Sequence, residues 1–180
     1  LEANYELIDN SIDKWVVEGK PRDLEINIDY NLDQNTGQYM DNAGGFDSEN
    51  VYKVFIPGET GNDDFSKPVI GSFAMGAKKA IFRLSSGARV VSSKTSDSGC
   101  YCFVEQGWEF TPDWNTKEGS CDSIGEGVTK IIFVNLNEPP DEAQIDALCE
   151  GIAETYFPIL SGWEYENENK VTIKVNGQAI

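Results

Sequence analysis

The sequence contains no histidine and few basic residues. Its 180 residues include 14 Lys and Arg against 31 Asp and Glu, a formal net charge of −17. Without histidine there is no Ser-His-Asp triad, no Cys-His nucleophile pair and no histidine-ligated zinc ion. Proton transfer near neutral pH therefore falls to carboxylates, lysine, tyrosine or cysteine. The shortage of positive charge also disfavours direct nucleic-acid binding, because Lys and Arg must neutralise the phosphates.

Long apolar runs are lacking as well. No stretch approaches the roughly 20 apolar residues that span a bilayer, and residues 1–20 have neither the basic segment nor the apolar core of a signal peptide. We expect a soluble, cytoplasmic or nuclear protein that is not secreted and does not bind membranes. The four cysteines show no Cys-x-x-Cys spacing. Reduced, packed thiols are therefore favoured over a zinc site.

The apolar pattern, with 39% hydrophobic residues, predicts one domain with a substantial core. Helices are predicted at residues 3–17, at 141–157 and from the glycine loop 71–76 to about Leu84. Strands are predicted at 23–30, 88–94, 100–105 and 128–136, and a hairpin turn at Asn176-Gly177. This order is not a βαβ series. It predicts an α+β fold, a two-layer α/β sandwich with helices on one face of a mixed, mostly antiparallel sheet.

The first predicted helix has an unusually specific polar face. Glu6, Asn10 and Asp13 fall within an arc of about 60°, opposite the apolar side. A carboxylate can orient and deprotonate a water molecule, and an asparagine carbonyl oxygen is a suitable ligand for Mg²⁺. A solvated helix face would show the same spacing, so both interpretations stand at this point.

A short glycine-containing segment follows the second predicted strand. Asp41-Asn42-Ala43-Gly44-Gly45 places a single acid before small residues, which let a planar ligand approach the backbone. An ionised aspartate only accepts hydrogen bonds and so suits an exocyclic amino group such as that of adenine. The alternative is an ordinary surface turn.

A second glycine loop, residues 71–79, ends at a predicted helix N-terminus. Unpaired N–H groups and the helix dipole favour an anion there, and Lys78 and Lys79 add positive charge. The loop does not fit the Walker pattern, which needs Gly-x-x-x-x-Gly-Lys-Ser/Thr after a strand. Phosphate binding and a plain helix start are both compatible with these residues.

Taken together, these segments resemble the motifs of the GHKL ATPases, the Bergerat-fold superfamily of gyrase B, MutL, the heat-shock ninety chaperones, the MORC proteins and the histidine kinases. Residues 6–13 resemble the N-box and residues 41–46 the Asp-x-Gly-x-Gly box. Residues 71–76 resemble the Gly-x-x-Gly-x-Gly box, and Gly127-Val128-Thr129 resembles the final Gly-Thr motif. The four motifs occur in the family's order. They are most similar to the MORC, MutL and heat-shock ninety branches.

The resemblance implies a role for each matched residue. Glu6 would be the general base that activates the water attacking the γ-phosphate, and Asn10 would hold Mg²⁺. Asp13 would lie at the pocket edge in a water network. Asp41 would read the adenine amino group, with Thr129 assisting through a water molecule. The other implied nucleotide-binding residues are Ala43, Gly45, Phe46, Gly71, Ala74, Met75, Gly76 and Lys78.

Two positions depart from the family pattern. Ala43 and Ala74 stand where the family usually has glycine, and a methyl group resists the left-handed backbone that glycine allows. We expect nucleotide binding to survive, with reduced affinity as an open alternative. Residues 47–70 would form the lid over the nucleotide.

The resemblance also implies the organisation and the activity of the chain. Residues 1–160 would form the ATP-binding domain, and residues 161–180 would begin a following β-hairpin or transducer-like region of a longer protein. The expected cofactors are ATP and Mg²⁺, and the expected activity is slow ATP hydrolysis that drives conformational change and homodimerisation. A nucleotide-sensing or inactive scaffold with the same fold is the alternative. Phosphotransfer is disfavoured, because histidine kinases typically lack a counterpart of Glu6.

Overall fold

The computed structural model describes residues 2–56, 76–105, 107, 110, 116–162 and 169–180. Four helices and eight strands, with one 3₁₀ turn at Val51–Val54, form in these ranges. The helices are α1 (Glu2–Val17), α2 (Gly76–Leu84), α3 (Glu142–Thr155) and α4 (Phe157–Leu160). The strands are β1 (Leu24–Asn31), β2 (Thr36–Asp41), β3 (Ser85–Ser93), β4 (Gly99–Val104), β5 (Lys117–Cys121), β6 (Val128–Leu136), β7 (Val171–Val175) and β8 (Gln178–Ala179).

The eight strands form one sheet in the order β5-β4-β3-β6-β2-β1-β7-β8. Neighbouring strands are antiparallel except β1 and β7, which run parallel. This confirms the predicted α+β sandwich with a mixed, mostly antiparallel sheet. None of the helices in the described ranges has the length and apolar character that a membrane span needs.

One face of the sheet is buried, and the helices supply the other half of the core. Successive side chains of a strand point to opposite faces, and on β1 the residues Leu24, Ile26 and Ile28 are buried while their neighbours are not. In α1, Ile8, Ile12 and Trp15 recur at helical spacing, and all three are fully buried against this face. The apolar side of α1 therefore fixes which way its polar side points.

Most predicted elements agree with the structure, and two differ. Val128–Leu136 is a strand over the predicted residues, and α3 begins at Glu142 after the N-cap Asp141, whose side chain forms a capping box with Gln144. β3 begins at Ser85, three residues before the predicted start at residue 88. β5 was not predicted, because its sequence KEGSC has no apolar alternation. It forms an edge strand through its pairing with β4 alone.

A tyrosine at the end of α3 holds α1 in place. The Tyr156 hydroxyl donates to Asp9 Oδ1 at 2.6 Å and lies 3.2 Å from the carbonyl oxygen of Tyr5. The two tyrosine rings stack, with centroids 6.2 Å apart. Gly151 leaves room for the Tyr5 hydroxyl, since a Cβ at this position would collide with it. These contacts fix α1 against α3 on the turn that carries Glu6.

We expect Tyr156→Phe to lower the free energy of unfolding by about 1–2 kcal/mol, because Asp9 loses a hydrogen bond while the ring packing is retained. Denaturant unfolding measures the change. Tyr52→Phe is the matched control, because its hydroxyl makes no hydrogen bond within the described residues. Equal loss of stability in both variants would show that the Tyr156 hydroxyl does not hold α1.

Candidate functional site

A row of polar side chains crosses the buried face of the sheet. Asp41 of β2 pairs with Thr129 of β6, and Thr129 pairs in turn with Ser92 of β3. All three residues are buried. Buried polar groups cost free energy unless they are hydrogen-bonded, so a continuous polar row within an apolar core marks a candidate binding site.

The Asp41 carboxylate is fixed from two directions. Its Oδ1 accepts from the Ala43 backbone N–H at 2.9 Å, and its Oδ2 accepts from Ser11 Oγ at 3.0 Å. Ser11 belongs to α1 and lies 2.7 Å from the Tyr39 hydroxyl, which donates to the Leu7 carbonyl oxygen. This chain of hydrogen bonds joins α1 to β2. Sequence reasoning missed Ser11 and Tyr39, although both lie within or beside the recognised motifs.

Burial changes the acidity of Asp41. Desolvation raises the pKa of this carboxyl to about 6, and hydrogen bonds from Ala43 and Ser11, with the charge of Lys14, oppose the rise. Above this pKa the group is an acceptor only. Near neutral pH it therefore suits a ligand that presents an N–H donor.

The loop after Asp41 is shaped by glycine and closed by backbone hydrogen bonds. Gly45 has φ +66°, and a Cβ there would collide with the Ser93 carbonyl oxygen. Gly44 N–H donates to the Gly127 carbonyl oxygen at 3.0 Å, which ties this loop to the predicted Gly-Thr motif. Ala43 keeps a negative φ and its methyl group is buried. The alanine is therefore accommodated without left-handed strain.

Ser92 connects this loop to the polar row. Its hydroxyl accepts from the Phe46 N–H at 2.8 Å and lies 2.8 Å from Thr129 Oγ1. It also donates to the Val128 carbonyl oxygen at 2.9 Å. Ser92 thereby fixes Phe46 and Thr129, both predicted site residues, relative to each other. The sequence offered no signal for Ser92 beyond its place on a predicted strand.

Glu6, Asn10 and the start of α2 meet at one place. A Cβ on Gly76 would collide with the Glu6 carboxylate and would lie 3.9 Å from Asn10 Nδ2. Asn10 Nδ2 donates to the Glu6 carbonyl oxygen, and both side chains are exposed. The structure thus brings the predicted base, the predicted metal ligand and the N-terminus of α2 together. The glycine at the first position of α2 leaves room for the Glu6 carboxylate beside it.

The remaining predicted residues divide into two groups. Asp13 and Lys78 are each only 6% exposed, on the polar side of α1 and in the first turn of α2. Gly71, Ala74 and Met75 lie outside the described residues, as does most of the predicted lid. Their assignment to phosphate binding stays a prediction.

The donor set suits only one kind of metal site. The described residues contain no group of three His, Cys, Asp or Glu side chains arranged to hold a metal ion. The Asn10 carboxamide nitrogen is engaged by Glu6, which leaves Oδ1 as the atom for a cation. Mg²⁺ usually keeps several waters and takes few protein ligands alongside substrate phosphates. The residues therefore fit a Mg²⁺ ion that arrives with a polyphosphate.

Comparisons with known proteins bear on the fold. Neither protein-family models nor curated protein sequences match this chain. Among solved structures, the ATPase region of Saccharomyces cerevisiae topoisomerase II bound to ICRF-187 (dexrazoxane) matches with a TM-score of 0.67 at 12% identity. The match covers 99% of this chain and 48% of that one, so this chain spans about half the length of its structural neighbour. This likeness shows that the chain shares the fold of that ATPase region.

We expect Asp41→Asn to raise the melting temperature at pH 8 and to lose this advantage near pH 4. Because the folded-state pKa is raised to about 6, ionising Asp41 destabilises the fold, and the wild type regains stability as the pH falls through that value. Asparagine can still accept from Ala43 and donate to Ser11. The gain at pH 8 is at most ~3 kcal/mol.

Asp47→Asn is the control with the opposite sign. Hydrogen bonds from Asn50 and the charge of Lys94 lower the pKa of Asp47, so its ionised form stabilises the fold. This variant should melt below the wild type at pH 8 and approach it in acid. If the difference in melting temperature between Asp41→Asn and the wild type stayed constant across the pH range, the free-energy cost assigned to burial of the ionised Asp41 would be contradicted.

Proposed function

We propose that this chain binds ATP together with Mg²⁺ and hydrolyses it slowly, as a switch for conformation and dimerisation. The observation that carries the proposal is the buried Asp41, an acceptor at one end of a polar row within an apolar core. A carboxylate in this position is costly to the free protein. A ligand with an exocyclic amino group would satisfy it.

The adenine end of the proposed site is built around Asp41. Thr129 lies opposite it on β6 and would assist through a water molecule, and Phe46 would border the base. Ala43 and Gly45 form the loop beside the carboxylate, and the absence of a Cβ at Gly45 brings that loop against β3. Backbone and carboxylate together would discriminate adenine from bases that present a carbonyl oxygen there.

The phosphate end is built where α1 meets α2. The first N–H groups of α2 and the charge of Lys78 would hold the phosphates, together with Gly71, Ala74 and Met75 of the loop before Gly76.

Glu6 would accept a proton from the attacking water, and Asp13 would organise water at the pocket edge. Asn10 would hold the Mg²⁺ ion, which would neutralise charge on the phosphates. Positioning and electrostatics then supply most of the catalysis.

We propose that the switch and its dimer partner act in a longer protein of which this chain is a part. Ordering of a lid by the γ-phosphate would drive formation of an ATP-dependent homodimer, as in the MORC, MutL and heat-shock ninety branches that the motifs resemble. We also propose that residues beyond 160 lead into a transducer-like region, with β7 and β8 continuing the sheet that contains β1. We further propose that the protein is cytoplasmic or nuclear, and that this segment does not bind nucleic acid directly.

Binding is tested by calorimetry with Mg²⁺ and a non-hydrolysable ATP analogue. The wild type should bind, and Asp41→Asn should weaken binding by at least about tenfold, because an amide donor would face the adenine amino group. Guanine nucleotides serve as the control for base recognition. An absence of binding at millimolar analogue would contradict the proposal.

Hydrolysis is tested with Glu6→Gln, which keeps the size of the side chain and removes the base. Turnover should fall about 100-fold or more, with affinity for the analogue within about threefold of the wild type. Glu2→Gln is the control on the same helix, since Glu2 is exposed and pairs with Arg83 away from the site. If the wild type binds nucleotide without turnover, the chain is instead a nucleotide-sensing module.

A further inference from the structure

On the face of the sheet opposite the described helices, the part formed by β3 and β6 carries outward cations. On β3 and β6 the buried residues alternate with outward residues, and the register places Arg89 opposite Ile132 and Val91 opposite Lys130. Arg89 and Lys130 are therefore diagonal neighbours on this open face. Diagonal like charges on adjacent strands repel each other.

Neither of these two cations is neutralised by the described part of the chain. The ion pairs found there involve Lys14, Arg22, Arg83, Lys94 and Lys117. Arg89 and Lys130 have no carboxylate within ion-pairing distance among the described residues, although acids outnumber bases 31 to 14. An anion between them would relieve their repulsion.

Aromatic rings contact Arg89 and a third cation, Lys117, on this face. The Arg89 guanidinium lies over the Tyr101 ring at 4.9 Å from its centroid, and Lys117 Nζ lies 5.4 Å from the centroid of Phe103. The two rings stack on each other with centroids 6.4 Å apart. A guanidinium that lies over an aromatic face keeps N–H donors that can bind a carboxylate.

An apolar pocket adjoins Arg89 on the same face. It has a volume of about 380 Å³ and is lined by ends of β3, β4 and β6, including Gly87, Phe103 and Val134, and its wall also includes Arg89 and Glu105, which pairs with Lys117. Val134 is 44% exposed, unusual for a large aliphatic side chain in the middle of a sheet. The pocket is large enough for one or two apolar side chains.

We propose that this open face docks an acidic peptide segment of a partner protein, with an apolar anchor in the pocket. We call it the basic sheet face and define it by Arg89, Tyr101, Phe103, Lys130 and Val134. Carboxylates of the segment bind Arg89 and Lys130, and an aliphatic or aromatic residue beside them enters the pocket. The basic sheet face lies on the opposite side of the sheet from Asp41, so the proposal does not depend on nucleotide binding.

An acidic peptide fits this surface better than a nucleic acid does. The faces of Tyr101 and Phe103 are covered by Arg89 and Lys117, so these rings offer no open stacking platform for bases. The net charge of −17 repels a long polyanion that extends beyond the cations. A short segment with a few carboxylates meets the local positive charge and avoids most of this repulsion.

The test is fluorescence polarisation with a short labelled peptide of alternating glutamate and leucine. It should bind the wild type, and the double variant Arg89→Ala/Lys130→Ala should weaken binding about tenfold. The matched control Arg83→Ala/Lys94→Ala removes the same charge at cations that are already ion-paired, and should stay within about twofold. Thermal melting verifies that all the variants are folded.

Three further measurements decide the chemistry. The peptide with glutamine in place of glutamate should bind the wild type weakly. Arg89→Lys should bind the acidic peptide less well than the wild type, because lysine lacks the planar guanidinium group with its paired N–H donors. Tighter binding of an oligothymidine probe than of the acidic peptide would overturn the proposal in favour of nucleic acid. The proposal would also be overturned if the double variant bound the acidic peptide as tightly as the wild type, or if the wild type bound neither probe. It would be overturned as well if self-association of the chain abolished peptide binding.

Discussion

A single carboxylate inside an apolar core sets the constraint that the surrounding structure satisfies. Asp41 lies between α1 and the sheet, where desolvation opposes its ionisation, and its two oxygens take donors from two different elements. Ser11 must come from α1 and the Ala43 N–H from the loop, so helix, strand and loop are held in one arrangement. The tight passage of that loop against β3 in turn requires glycine at position 45. The same few hydrogen bonds thus hold this region together and would position Asp41 for the proposed ligand.

The fold was largely predictable because its signals are local. The alternation in β1 and β6, the helical spacing in α1 and α3, and the Asn-Gly turn before β8 each predict an element without reference to the rest of the chain. β5 could not be predicted, since an edge strand without apolar alternation forms only where a neighbour offers free backbone groups. The parallel pairing of β1 with β7 was equally inaccessible, because nothing in either strand specifies a partner so distant in sequence.

The sequence indicated residues of the candidate site but not the contacts that connect them. Glu6 and Asn10 share a helix face because of helical geometry, and the structure adds that Gly76 lies against both. The support of Asp41 by Ser11 depends on how α1 crosses β2, and the link from Phe46 to Thr129 passes through Ser92. Such contacts between elements arise from tertiary packing, which the periodicity of one segment does not encode. At Ala43, by contrast, the answer is local: its negative φ lets an alanine occupy a position where the family usually has glycine.

The position of β1 in the sheet bears on how the chain acquires its structure during synthesis. One edge of β1 pairs with β2, which is close in sequence, whereas the other edge is covered by β7, whose first residue pairs with Leu24 across most of the chain. Until residues 171–175 have emerged, that edge exposes unpaired backbone groups beside apolar side chains. Non-local pairings of this kind slow folding and favour aggregation of partly made chains. The edge of β1 is therefore the part of the sheet that waits longest for its partner during synthesis.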